Sequence, residues 1–361
     1  TYFGGTKNDR ALSCTIDNAD NLYVVGYTDN GSLSAVPNGS AFQDNTWNGS
    51  LDGFLTKFNS SDSLIWATYY GGSSIDEAYS CKVDASNNLY ISGATYSSNF
   101  PTFRSSSSFY KDSTLAGTID MFMLKFNSSG VRQWSSYFGG TGEEGSLYYP
   151  THKGIALDQS QNIYFADNTT STDMYTKRSG GTCYYDSTFG GRIDAFILKF
   201  NSSLAPQYCT YVGGSDYDYA HAIAFDSNSN LYLSYGTSNT GITTKTLGNY
   251  YNQSSMNGSG TAVYSADNFL FSLYSSLNPR WATYFGGTSY NAQGDEGTDI
   301  AIKGNDMYLT GYCNSYPAAP LTDIRFPIFY PGNPAYIDST YNDQTQSNKA
   351  DAFISLFDLS Q

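Results

Sequence analysis

The carboxylates that could do chemistry in this chain recur at one place. Asp9, Asp76, Asp218 and Asp295 each stand five residues before a recurring Cys or Ile (Cys14, Cys81, Ile223, Ile300), and Glu143 or Glu144 takes that part where an insertion blurs the spacing. Gathered at one mouth, five carboxylates would attract a cation or a cationic group. The alternative is that each accepts backbone N–H bonds beside the Gly-Gly pair that precedes it. The acidic ring is the only feature that points to an enzyme, a glycoside hydrolase. It needs two carboxylates in unlike surroundings, whereas these recur symmetrically. His152 and His221 are the only histidines, in non-equivalent positions, and neither Gly-x-Ser-x-Gly nor Cys-x-x-Cys occurs. The chain is therefore expected to be no enzyme and to hold no cofactor. Calcium is a minor alternative, because turns with one Asp and one Asn fall short of the roughly six to eight oxygens it takes.

Aromatic residues are the second candidate set. Trp47, Tyr110, Tyr184, Tyr185, Tyr250, Tyr251 and Tyr330 lie in long, unequal loops, where they could stack on sugar rings or anchor a protein. The alternative is that they pack the loops against one another. Cys183 and Cys209 are a candidate disulfide within one unit, while Cys14 and Cys81 occupy an Ile position and are expected to be buried apolar residues.

These residues are placed by an internal repeat. Thr1-Tyr2-Phe3-Gly4-Gly5 returns as Thr68 to Gly72, Ser136 to Gly140, Thr210 to Gly214 and Thr283 to Gly287, with first glycines 67, 68, 74 and 73 residues apart. Between these strings come three more segments with the alternation or the short β-rich runs of strands. Strand A runs from Ala11 to Asp17 in the first copy, strand B from Asn21 to Thr28 and strand C from Asp52 to Phe58; strand D carries Trp66 into the Tyr-Gly-Gly ending. A sheet of four such strands cannot bury both faces alone, and stacking five of them makes a β-propeller. The prediction is an all-β, five-bladed propeller of four-stranded antiparallel blades over residues 1–361. The blades fall at about 11–72, 78–140, 152–214, 220–287 and 297–361. Residues 1–5 are expected to pair with Asp351 to Phe357 and close the ring.

The Tyr-Phe-Gly-Gly string, the Asp-x-x-x-Asn-Leu-Tyr turn, Gly26-Tyr27-Thr28 and the Asp-x-Phe strand resemble the bacterial SBBP β-propeller repeat. That resemblance covers nearly the whole chain and implies an extracellular bacterial protein. In the same setting Asp-Ser-Thr, with Ser113, Ser187 and Ser339, resembles the O-glycosylation acceptor of Bacteroidota surface proteins; a repeated turn accounts for it equally.

Composition agrees with that setting. Tyr 34 and Phe 22 with only 14% charged residues suit a secreted or cell-surface β protein. A net charge of −14 argues against nucleic acid, and no apolar run reaches the roughly 18 residues of a membrane helix. The start at Thr1 is expected to reflect processing or trimming. The reading is a non-catalytic binding module for a glycan or surface protein on the long-loop face. The competing one is a rigid subunit or spacer of a larger surface complex, and the third is a polysaccharide-acting enzyme using the five carboxylates.

Overall fold

Apolar residues that alternate along short runs, with Asx turns between them, give antiparallel strands that follow one another in space. In the first sheet β1 (Asp9–Ile16), β2 (Leu22–Thr28), β3 (Asp52–Phe58) and β4 (Leu64–Tyr70) pair in that order. The second contains β5 (Asp76–Val83), β6 (Leu89–Thr95), β8 (Asp120–Phe126) and β9 (Arg132–Phe138), with the two-residue β7 (Phe103–Arg104) on the far side of β9. The third is β10 (Gly154–Leu157), β11 (Ile163–Thr169), β12 (Asp194–Phe200) and β13 (Pro206–Val212), and the fourth β14 (Asp218–Phe225), β15 (Leu231–Thr237), β16 (Asp267–Leu273) and β17 (Pro279–Phe285). The fifth has three strands, β18 (Glu296–Lys303), β19 (Asp306–Cys313) and β20 (Asp351–Asp358). The chain is thus an all-β protein of the five-bladed β-propeller class.

This computed structural model describes residues 3–29, 31, 44–145, 154–256, 267–287, 295–313 and 351–360. Contacts divide the chain into two units. One holds Thr1–Ser179, Ser187–Phe189 and Phe196–Tyr211, the other Gly180–Asp186, Gly190–Ala195 and Val212–Gln361. Thr1 and Tyr2, part of the strand expected to complete the fifth blade, lie outside the described residues. Phe3 rests on Phe54 and Phe58, with ring centroids 6.1 and 5.8 Å away. Tyr70 on Phe122, Phe138 on Phe196 and Phe285 on Phe353 repeat the Phe54 contact, each joining a strand D to the strand C of the next sheet.

Sheets pack face to face through large side chains. Val25, Leu55 and Trp66 of the first sheet meet Cys81, Leu89 and Ile91 of the second, all at most 3% exposed. Burial on both faces makes β6 and β15 continuously apolar or small rather than alternating.

The long loops between strands B and C turn back along strand D. Phe103 and Arg104 pair with Ser135 and Trp134, Lys177 exchanges backbone bonds with Cys209, and Lys245 does so with Ala282. The outer edges of these three blades are thereby covered, which removes unpaired strand backbone from solvent. The entrance of each loop is held by the tyrosine of the Tyr-Gly-Gly string. The Tyr137 hydroxyl accepts from the Phe100 N–H at 2.8 Å and donates to the Ser97 carbonyl. Tyr211 does the same with Met174 and Ser171, and Tyr284 with Ile242 and Asn239. Tyr137→Phe keeps the ring and strips both bonds, so it is expected to cost about 1–2 kcal/mol. Urea unfolding would register that loss, and faster amide exchange over residues 97–109 would locate it.

Candidate functional site

The recurring acidic residues sit at the start of strand A and face inward to the backbone. Asp9, Asp76, Glu144, Asp218 and Asp295 accept the second glycine's N–H from Gly5, Gly72, Gly140, Gly214 and Gly287, at 2.6 to 2.9 Å. Asp76, Glu144, Asp218 and Asp295 are fully buried, so they brace a turn and do not present a mouth to a cation. A second set opens strand C: Asp52, Asp120 and Asp194 each accept two loop N–H groups. The two sets crowd the first glycine of the pair. A methyl on Gly71 would lie 2.9 Å from both Asp52 Oδ1 and Asp76 Oδ2. Burial pushes Glu144 and Asp218 up to about 7, and Asp52 and Asp194 up to about 6.

The turns between strands A and B are equally structural. Asp17 Oδ1 accepts from the Ala19 and Asn21 backbones, Oδ2 from Asn21 Nδ2 and the Tyr23 hydroxyl, and Lys57 stands 3.4 Å away over the Tyr23 ring. Asp84, Asp158 and Asp226 repeat this capping. In the fourth copy Ser272 replaces the lysine and Arg280 supplies the cation over Tyr232 instead. In the fifth the aspartate becomes Lys303 and the lysine becomes Leu356, so the Asp–Lys pair has no counterpart at these positions. Donors on every side of these carboxylates suit a capped turn rather than calcium.

Most of the loop aromatics serve packing. Tyr110 lies on Phe138 and Phe200, and its carbonyl accepts the Trp134 indole N–H. Tyr184 rests on Phe271 at 4.9 Å. Tyr250 and Tyr251 lie against Trp281 and Phe285, and the Tyr251 carbonyl takes the Trp281 N–H. Trp47 joins Phe3, Phe54 and Tyr69. Tyr185 is half-buried, and Tyr330 lies outside the described residues. The expectation of a stacking face is corrected for the packed residues, because strands C and D offer the apolar surface that their rings cover.

Two cysteine expectations are also corrected. Cys183 and Cys209 are buried free thiols, Cys209 packing with Phe196, Tyr211 and Met174 in the core. Cys81 is buried as expected, but Cys14 is exposed. The first sheet covers Cys81, with the Ser13 hydroxyl 3.6 Å from its thiol; Cys14 has no such cover among the described residues of its unit. Ser113 and Ser187 are exposed. The Asp112 carboxylate accepts the Thr114 N–H, as Asp44 accepts that of Thr46, so this string is a repeated Asx turn. Ser339 lies outside the described residues.

What breaks the repeat is strand A and its neighbour. β1, β5, β14 and β18 each carry a bulge, and the extra residues are Leu12, Tyr79, His221 and Thr298. A bulge re-aims a side chain, and here it carries a different one in every copy. Two residues earlier stand Arg10, Glu77, Tyr219 and Glu296, and on strand B Gly26 and Gly93 give way to Asp167. In the first unit the Tyr79 hydroxyl donates to Glu77 Oε2 at 2.8 Å, and Arg10 lies 5.9 Å over the Tyr27 ring. Glu77 and Tyr79 are each 5% exposed and Asp167 1%. Burial, then Glu77, Asp167 and Tyr96, hold the Tyr79 phenol well above its ordinary range. Burial and Glu77 raise Tyr27 against the pull of Arg10. Both phenols therefore remain hydrogen-bond donors, beside carboxylates that accept.

In the second unit the same register holds His221 Nε2 3.9 Å from Glu296 Oε2, with the Tyr312 hydroxyl donating to Glu296. Tyr217 and Tyr219 stack at 5.9 Å, with Arg192 over Tyr217. The sequence carried a signal for these groups, namely variation inside strands that are otherwise uniform.

Residues 207–242 match the family model described as SBBP, a beta-propeller repeat. An uncharacterized WD repeat-containing protein of Acanthamoeba polyphaga mimivirus is 21% identical over 216 residues, 55% of this chain. The match spans 15% of that relative's length. A gluconolactonase from Xanthomonas campestris aligns with a TM-score of 0.37 and 8% identity, over 82% of this chain and 68% of its own. The NanB sialidase from Streptococcus pneumoniae aligns at 0.44 and 8%, over 87% and 54%. Enzymes are among the aligned structures, so the expectation of no enzyme activity does not stand.

Proposed function

From the premise that this chain is built of SBBP-type β-propeller repeats, we propose that it binds a hydroxyl-rich ligand, a glycan, at the bulged strand-A edge of its first unit. One observation carries the reading. At positions whose residue type changes from copy to copy, Glu77, Tyr79 and Asp167 are polar and buried. Scaffold needs are met alike in the copies, and a buried polar group costs stability, so departures from the pattern point to a ligand. Phenol donors, carboxylate acceptors and the exposed Arg10 guanidinium match the donors and acceptors of sugar hydroxyls. Location outside the cell or on its surface is part of the proposal, supported by the low charged content of 14%. Exposed Ser113 and Ser187 would there be open to O-glycosylation.

A glycan array with the purified chain tests the reading. Hits are expected to weaken about tenfold or more in Glu77→Gln and in Tyr79→Phe, which lose one charge-assisted bond. A blank array, or hits indifferent to both changes, would sink it.

A further inference from the structure

We infer that His221 is a proton-operated switch in the seam between β14 and β18, turned to the Asn268 amide when neutral and to the Glu296 carboxylate when protonated. This goes beyond the ligand site, which lies on other strands. Three departures from the repeat are made together in the fourth copy. The bulge residue of strand A is Leu12, Tyr79 and Thr298 in three sisters and His221 here. On strand B, Tyr27, Ala94 and Tyr312 give way to Gly236, and their strand-C partners Gly53, Met121 and Ala352 give way to Asn268. A methyl on Gly236 would lie 2.9 Å from His221 Nε2 and 3.8 Å from Glu296 Cγ, so the missing side chain gives the imidazole its place.

Two partners flank that place. On one side His221 Nε2 stands 3.9 Å from Glu296 Oε2. On the other, Asn268 is directly opposite Gly236 in the ladder, and such partners carry their side chains on one face. Asn268 Oδ1 accepts from the Ser234 hydroxyl at 2.7 Å and from the Gly297 N–H at 3.2 Å, while its Nδ2 is buried without an acceptor among the described residues. Asn268 and His221 are both at most 1% exposed, and an orphaned donor in the interior is costly. A neutral imidazole has a lone pair to offer that donor, whereas an imidazolium has only N–H groups and suits the carboxylate. The groups packed here are Gly236 of β15, Asn268 of β16, Glu296 of β18 and Tyr312 of β19, whose hydroxyl donates to Glu296; Tyr219 stands on the histidine's own strand. None of them is a cation that would repel a proton. Burial opposes an imidazolium, but the Glu296 side chain keeps 18% of its surface in solvent, so the pair is wetted and the attraction prevails. Proton uptake therefore draws β14 onto β18. The gain in the seam is complete below the unfolded imidazole's ordinary value of about 6.5 and is lost as pH rises through the folded midpoint.

The test uses the full chain, whose only histidines are His152 and His221. Imidazole signals followed by nuclear magnetic resonance from about pH 5 to 9 bracket the ordinary range. The signal that survives in His152→Gln belongs to His221, and the signal lost in His221→Gln gives the same assignment. Its midpoint is expected above that of the unfolded chain, with the Asn268 side-chain amide signals moving in step. Glu296→Gln keeps an acceptor for Tyr312 and removes the charge, and it is expected to weaken proton binding at His221 about tenfold or more. A His221 midpoint below that of the unfolded chain, an equal midpoint in Glu296→Gln, or amide signals indifferent to the titration would overturn the inference.

Discussion

Gly93→Ala is expected to lower the unfolding free energy by about 2–4 kcal/mol. A methyl at Gly93 would meet the Glu77 carbonyl oxygen at 1.9 Å and the Phe122 ring at 2.6 Å. The carbonyl is backbone, held by the bulge that displaces Tyr79, so it cannot rotate away as a flexible side chain would. Gly26 and Gly311 face the same obstacle, with Arg10 and Glu296 carbonyls at 1.8 and 2.0 Å. The third copy carries Asp167 in this place, where β10 begins only at Gly154 and pairs with Ala166 at its far end. The bulge and the glycine thus go together in the first, second and fifth copies, whereas the bulged fourth copy carries Tyr235 in that place. Urea unfolding followed by circular dichroism measures the loss. Gly241→Ala, with no atom within 4 Å of the new methyl, is the control expected to change little. Equal midpoints for the two variants would show that the strand-A bulge yields freely, and the candidate site would lose its rigid frame.

Lowering the pH from 8 to 5 is expected to raise the melting temperature. Burial holds Asp218 and Glu144 at about 7 and Asp52 and Asp194 at about 6, and it raises Asp76 and Asp120 as well. In the unfolded chain these groups lose their protons near pH 4. Between about pH 4 and 7 the folded protein therefore keeps protons that the unfolded chain has released, and rising pH favours unfolding. Their stabilisation is complete below about pH 4 and gone above about pH 7. Asp17 acts in the opposite direction: burial works to raise its carboxyl, but the hydrogen bonds from Asn21 and Ala19 prevail, so the stability it contributes is complete above the ordinary 3.8 and is lost as pH falls below it. Each tenfold difference in proton affinity between the folded and unfolded chain corresponds to about 1.4 kcal/mol. Asp218→Asn keeps an acceptor for Gly214 and cannot ionise. It is expected to gain stability at pH 8, change little at pH 4.5, and flatten the curve of melting temperature against pH. An unchanged slope in this variant would mean that Asp218 is solvated in the folded protein.

Much of this architecture is legible in the residues. Strand C of the first three blades begins and ends where Asp-x-Phe and Lys-Phe place it, at Asp52–Phe58, Asp120–Phe126 and Asp194–Phe200. The Asp17 to Asn21 turn caps itself as its spacing implies, because the partners lie within four residues. Long-range placement was not legible. Nothing in the loop containing Tyr110 announces that it folds back along strand D, since the carbonyl it offers to Trp134 depends on backbone direction. Cys14 and Cys81 occupy one position of the repeat, yet their burial differs because it depends on what lies across from each sheet. The bulges hid the candidate site in a similar way. An extra residue shifts the two-residue alternation, so Tyr79 and Glu77 read as ordinary strand positions until the register with β6 is known.

The loops clamped along strand D also bear on how such a chain can drift over generations. Tyr137 pins a loop near its entrance, and Asp112, bonded to the Tyr137 N–H, pins it near its exit. What lies between the pins pays only for closing a flexible span, and doubling that span costs about 0.6 kcal/mol. Insertions are best tolerated there. Copies of one repeated unit can then differ in loop length without any strand losing its register, so the unevenness of these loops measures tolerance.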